Sequence, residues 1–333
     1  MTFVPKYPAL LAAGWTLALL VLLAGCQPMA GPSAVRPLQT ETAPEAQKWL
    51  DRGRDFLADQ RYEEALGAFT KALEADPSLA EARLYRGTAW LRMNHQERAL
   101  EDFDQVLAAH PEDVRAWIER GKAYAAKRAF DQAAADFLQA IEISPMEASA
   151  YYELAQLRRI RGEADAALAA YDRVLDIDPD NALAYYERGL VWAMKEKPAE
   201  AAQDFTRALE RSPYLSRAYT SRGFAYIDVE EFEPALKDFS QALDISPDQA
   251  AAYTGRGFAR AKLGDLDLAV QDFNRALALD PQDAKAYFVR GLTRAQKGEY
   301  ESALADAEKA LKIKPDYDSA RRLAQDMRTR LKR

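Results

Sequence analysis

Few residues in this chain of 333 are equipped for chemistry. There is one cysteine, Cys26, and there are two histidines, His95 and His110. A disulfide framework or a thiolate cage needs several cysteines, so a zinc or iron centre here would be built almost wholly from carboxylates. His95 falls in a break between two helical runs and His110 directly precedes Pro111, which are surface positions rather than ligand positions. Gly255 and Gly257, in TGRGFAR, lack the third glycine and the preceding strand that a dinucleotide fingerprint requires. No segment carries a nucleophile motif, a metal-ligand helix or a phosphate loop. The expectation is therefore no catalytic residue, no metal and no cofactor: not an enzyme. A formal charge of −7 also argues against a nucleic-acid partner, whose phosphates are met by clustered Lys and Arg.

The cysteine has a different chemistry open to it. From Ala9 to Gly25 the chain is uncharged and apolar, with Lys6 ahead of it and a polar stretch behind. Seventeen such residues are short for a membrane span, which needs about 20, and the pattern is that of a secretory signal peptide over 1–25. Leu23, Ala24, Gly25 and Cys26 resemble the lipobox of bacterial lipoproteins. That resemblance implies that Cys26 receives a diacylglycerol thioether, becomes the first residue after cleavage and gains a further acyl chain such as palmitate. Two or three chains anchor stably, at about 0.8 kcal/mol per buried methylene. Gln27 after the cysteine, rather than Asp, resembles the signal that sends lipoproteins to an outer membrane where one exists. Residues 26–45 hold Pro28, Pro32, Pro37 and Pro44 with no helical or strand period, and read as a tether.

Beyond the tether, one period organises everything. Pro77, Pro111, Pro145, Pro179, Pro213, Pro247, Pro281 and Pro315 are 34 residues apart. Phased from Ala46, the units are 46–79, 80–113, 114–147, 148–181, 182–215, 216–249, 250–283 and 284–317. The eighth slot is glycine in seven units and Ala155 in the fourth; the twentieth is alanine throughout; the twenty-fourth is Phe or Tyr until Ala307. In 111–144 apolar residues recur at helical spacing in two runs separated near Lys127 to Phe130, which predicts an antiparallel pair of helices about fourteen residues long. Small residues such as Gly121 and Ala133 allow close approach, with Phe137 filling the space beside them, and proline stops the second helix. One hairpin cannot bury both faces, so neighbours must stack into an elongated all-α solenoid. Residues 318–333 supply a polar capping helix, with Leu323, Met327 and Leu331 as its apolar stripe.

Period, small slots, aromatic slot and terminal proline resemble the tetratricopeptide repeat family across 46–317. The resemblance implies a right-handed superhelix with a concave groove that binds a protein or peptide segment. It also implies that slots two, five, nine, twelve and thirteen face the groove. That face is mixed early, with Arg54, Glu81, Arg115, Lys122 and Arg159, and turns apolar and aromatic later, with Tyr152, Tyr186, Leu190, Phe224, Phe258, Phe288 and Leu292. Exposed apolar rows mark partner surfaces; packing of the rings on one another is the other arrangement compatible with the pattern. The carboxylate clamp of some family members is absent, since Gln47, Leu50 and Arg54 hold the relevant face of the first unit.

Where most family members carry an apolar seventh slot, this chain has Arg52, Arg86, Arg120, Arg188, Arg222, Arg256 and Arg290. The twenty-third slot holds Asp102, Asp136, Asp204, Asp238, Asp272 and Asp306, and the unit with Leu154 in place of arginine has Ala170 in place of aspartate. Both slots lie eight residues from the hairpin turn, so antiparallel packing sets them opposite each other as a structural ion pair. The functional expectation is a lipid-anchored interaction scaffold of the bacterial cell envelope, facing the periplasm if the cell has an outer membrane. The alternative is a periplasmic holdase or assembly chaperone for exported proteins, for example in pilus or outer-membrane assembly.

Overall fold

A proline near the end of every unit and a left-handed residue in its middle set where the helices stop. The computed structural model describes residues 44–332, and seventeen α-helices and no strand occur among them. They are α1 (Pro44–Ala58), α2 (Tyr62–Ala75), α3 (Ala80–Arg92), α4 (Gln96–Ala109), α5 (Val114–Ala126) and α6 (Phe130–Ile143). Next come α7 (Ala148–Ile160), α8 (Ala164–Ile177), α9 (Ala182–Met194), α10 (Pro198–Arg211), α11 (Ser216–Asp228) and α12 (Phe232–Ile245). The last are α13 (Ala250–Leu263), α14 (Leu266–Leu279), α15 (Ala284–Gln296), α16 (Tyr300–Ile313) and α17 (Asp318–Arg330). The signal peptide, Cys26 and the tether through residue 43 lie outside the described residues. Pro44 and Glu45, assigned on composition to the tether, instead open α1. Proline suits that place because the first turn's amide has no partner to lose.

Each odd helix and the even helix after it form a hairpin, closed the same way every time. Gln60, Asn94, Arg128, Gly162, Glu196, Glu230, Gly264 and Gly298 all have φ between 56° and 95°. At the second hairpin Asn94 N–H donates to Leu91 O at 3.0 Å and His95 N–H to Trp90 O at 2.9 Å, the paired bonds of a Schellman cap. The even helices end differently. Asp76, the residue before Pro77, is extended at φ −142°, ψ 94°, and His110 before Pro111 follows at −133°, 74°, because proline's ring bars the residue ahead of it from the helical region.

Between the helices of a hairpin the small slots let a ring in. A Cβ on Gly189 would lie 2.7 Å from the Phe205 ring, and one on Gly255 would lie 2.3 Å from Phe239 of the preceding hairpin. Phe69, Phe103, Phe137, Tyr171, Phe205, Phe239 and Phe273 are all essentially unexposed, and each forms with the invariant alanine of its unit a buried cluster of its own. Every helix packs on the next. Each odd helix also touches the following odd helix, whereas no even helix touches another even one. The odd helices are thus the closer-spaced layer of an all-α solenoid.

At the C-terminal end α17 lays Ala320, Leu323, Ala324 and Met327 against α16. Leu331 falls past the helix end and is exposed, so the buried stripe closes at Met327 and the expected third contact is not made.

Candidate functional site

What holds the odd-helix face in place is a polar rung inside six of the eight hairpins. Arg188 on α9 donates through Nε and Nη2 to the two Oδ atoms of Asp204 on α10, both at 2.7 Å, and Asp204 is 2% exposed. The same fork joins Arg86 to Asp102, Arg120 to Asp136, Arg222 to Asp238, Arg256 to Asp272 and Arg290 to Asp306, at 2.6 to 3.0 Å. In five of the six the aromatic residue one turn earlier lies beside the guanidinium, as Tyr185 does at 5.5 Å from Arg188, while Arg83 holds that place before Arg86. The bond from Asp136 holds the Arg120 pKa above the ordinary guanidinium value despite burial. Arg52 has Ala68 in place of aspartate and sits between Trp49 and Phe56.

A third member of the rung was missed in the sequence. Nη1 of Arg120 donates to Asp104 at 2.7 Å, that of Arg188 to Asp172 at 2.6 Å, that of Arg222 to Thr206 at 2.9 Å and that of Arg290 to Asn274 at 2.7 Å. Each of these acceptors lies sixteen residues before its arginine, in the preceding unit, so these rungs cross between repeats. The signal was present: around Leu154 the residues at −16 and +16 are Leu138 and Ala170, so all three polar members are replaced together.

The face itself differs from an open aromatic row. Tyr152 meets Tyr171 edge-on at 5.9 Å, Tyr186 lies on Phe205 at 5.8 Å, Phe224 on Phe239 at 5.0 Å, Phe258 beside Phe232 at 6.5 Å and Phe288 on Tyr317 at 5.1 Å. Each ring is seated on a ring from an even helix or a turn, which lowers it toward the core. Tyr186 is only 8% exposed and is a core residue, which corrects its place among accessible groove residues. Of the predicted set Leu292, at 42%, stands clear; Tyr152, Leu190, Phe224, Phe258 and Phe288 are half-buried.

Between the seated rings lie separate depressions. One of about 560 Å³ is floored by Phe205 and Phe224 and walled by Leu190, Ala193 and Ser221, with Glu196 and Asp228 on its rim. Another, of about 330 Å³, is formed by Phe258, Ala261, Lys262, Val289, Leu292 and Gln296. Tyr152 and Leu183 border a third of about 370 Å³. Three exposed apolar residues were overlooked: Leu183, Ile160 at 60% and Met194 at 55%, the last two closing α7 and α9 at the thirteenth slot.

On the first half of the face most cations have a carboxylate beside them, Arg92 at the end of α3 being without one within 4.0 Å among the described residues. Arg54 meets Glu81 at 3.8 Å, Lys122 lies 2.7 Å from Glu119 and 3.6 Å from Glu153, and Arg159 lies 3.3 Å from Glu187. Burial, partly offset by Lys122, pushes the Glu153 carboxyl above its usual range. Tyr171 is fully buried, with its hydroxyl near Glu187 and Arg159 but making no hydrogen bond; burial first, then the Glu187 charge, pushes its pKa up. His95 sits edge-on to Trp90 at the start of α4, and His110 ends that helix. Among the described residues no group of three or more His, Cys, Asp or Glu is placed to hold a metal ion, and no helix is long and apolar enough to cross a membrane.

Family models described as tetratricopeptide repeat match residues 50–94, 91–148, 223–290 and 284–317, and one described as TPR repeat matches 156–196. Among solved structures, YrrB, described as a TPR protein with an unusual peptide-binding site, is 31% identical with a TM-score of 0.50, over 57% of this chain and 97% of that one. The APC/C hetero-tetramer Cut9-Hcn1 matches at 20% identity and a TM-score of 0.61, over 84% of this chain. This chain spans only 55% of the length of the matched Cut9-Hcn1 chain. PilF of Pseudomonas aeruginosa matches at 19% identity and 0.57, over 65% of this chain and 98% of that one. The last two show the fold alone. No curated protein sequence matches the chain.

Proposed function

The chain belongs to the tetratricopeptide repeat family, and on that premise we propose that it is a protein–protein interaction scaffold that holds a partner segment against its odd-helix face. The observation that carries this is the pair of apolar depressions over Phe205 and Phe224 and over Phe258 and Val289, open pockets above an otherwise closed core. Apolar recesses of this kind take the anchoring side chains of a bound segment. The peptide-binding description printed for YrrB supports the same reading. Tethering through an acylated Cys26, and a post in the bacterial cell envelope, belong to the proposal on the strength of Leu23, Ala24, Gly25 and Cys26.

In-cell crosslinking tests the groove. Ala193→Trp with Leu292→Trp fills both depressions from exposed positions without changing charge. One partner captured by the wild type and lost in this variant, at an unchanged melting temperature, is the expected result. Unchanged capture refutes groove binding, and capture of many unrelated proteins points to a holdase. For the tether, Cys26→Ala is expected to abolish acyl labelling and release the protein from membranes; retention of the unlabelled variant would mean an uncleaved anchor.

A further inference from the structure

Beyond α9 the charge pattern of the odd-helix face changes. Arg217, second residue of α11, holds its guanidinium carbon 4.6 Å from the centre of the Tyr186 ring. Lys285, second residue of α15, holds Nζ 6.0 Å from Phe224. Lys262, in the last turn of α13, lies 5.5 Å from Phe258 and 5.7 Å from Phe232. All three are exposed, and among the described residues none has a carboxylate within 4.0 Å. On the first half Arg54, Lys122 and Arg159 each reach a carboxylate from the same layer of helices, and of that half's groove cations only Arg92 lacks one among the described residues.

Their ring contacts leave the charges themselves without an anionic partner, and only Lys262, in the last turn of α13, stands where the helix dipole favours a cation. A positive side chain in the first turn opposes the helix dipole, which favours anions there, so Arg217 and Lys285 cost a little where they stand. Of the carboxylates nearby, Asp228 and Glu196 lie at the turn end of the face, where Lys262 also stands, and Asp283 caps α15 two residues before Lys285 with its side chain accepting from Ala286 N–H. In a chain of net charge −7, a cationic strip alternating with apolar recesses selects its occupant by charge as well as shape.

We propose that the second half of the groove, from α9 to α15, takes an acidic segment of a partner protein. Its carboxylates meet Arg217, Lys262 and Lys285 while its apolar side chains enter the depressions over Phe224 and Phe258. This rests on the scaffold reading and specifies the chemistry of its ligand.

The test is selection of a random dodecapeptide display library on the immobilised full chain. Binding of the winners is then measured to the wild type, to Arg217→Glu with Lys262→Glu and Lys285→Glu, and to a control with equal charge change on even helices, Lys237→Glu with Arg275→Glu and Lys312→Glu. Expected winners alternate Asp or Glu with Leu or Phe, weaken at least tenfold in the groove variant and under twofold in the control, and weaken as salt rises. Should the reversed-charge variant melt early, Gln at the same three positions replaces it. Winners without acidic bias, winners that bind the groove variant normally, or no winners at all overturn the proposal. If the Ala193→Trp and Leu292→Trp variant still loses its crosslinked partner in that case, groove binding stands and only its acidic selectivity falls.

Discussion

Asp204→Ala strips both acceptors from the Arg188 fork and leaves a guanidinium whose side chain is 14% exposed. Breaking a buried ion pair from one side costs about 3–5 kcal/mol. Arg188 keeps Asp172 at 2.6 Å and the Tyr185 ring, so the lower end applies and about 3 kcal/mol is expected. Adding Arg188→Leu removes the stranded charge and rebuilds what the fourth unit already has, where Leu154 and Ala170 are each 3% exposed. Asp172 loses its partner in that double variant, but its side chain is 57% exposed, so water replaces the bond. The double variant should therefore lie within about 1 kcal/mol of wild type, a coupling of at least about 2 kcal/mol. Repeat arrays do not always melt as one unit, so urea unfolding should be paired with hydrogen exchange at the amides of α9 and α10. Equal losses in single and double variants would refute the idea that the pair is buried and coupled.

Other outcomes follow from single positions. Glu230 stands at φ 60°, and Glu230→Gly should raise stability by about 0.5–1 kcal/mol in urea melts, since a left-handed side chain is strained; a loss would mean that its side chain matters more than its backbone. Tyr171→Phe removes a buried, unbonded hydroxyl at a slot that is Phe in six other units, and should be neutral or stabilising by up to about 1 kcal/mol; a clear loss would reveal a bonded hydroxyl. Glu153 binds its proton more tightly folded than unfolded, so the folded state loses stability as pH climbs from 4.5 through the raised value. Glu153→Gln should therefore gain on wild type in urea midpoints across that window, and a constant difference would refute the burial argument.

The arginine–aspartate rungs were legible because their geometry follows from counting. Slots seven and twenty-three are equidistant from slot fifteen, and an antiparallel hairpin must bring them together. The left-handed turn at slot fifteen was not, since Gln60, Arg128, Glu196 and Glu230 lack the signature that Gly162 or Asn94 gives; three-dimensional closure of the hairpin overrides their preference. The fate of the groove rings was likewise hidden. Slots five and nine point to one face, but whether a ring stands up or lies down depends on what is beneath it, and Phe205 and Phe239 supply a floor that Tyr186 and Phe224 settle upon. The cationic strip needed both halves of the face in view, because Arg159 and Arg217 look alike until Glu187 is found beside only the first.

The rungs between repeats also make the solenoid's seams unlike one another in how they answer ionic strength. At the seams closed by Arg120 with Asp104 and Arg188 with Asp172 the acidic partner is more than half exposed, so mobile ions weaken the bond. At the seam marked by Leu138 and Leu154 the rung itself is apolar, and salts excluded from protein surfaces favour its burial, while Arg161 with Asp131 at 2.8 Å and Lys122 with Glu153 at 3.6 Å still cross that seam as ion pairs. Rising salt should thus loosen the rungs of Arg120 and Arg188 while leaving the apolar rung at Leu154 in place.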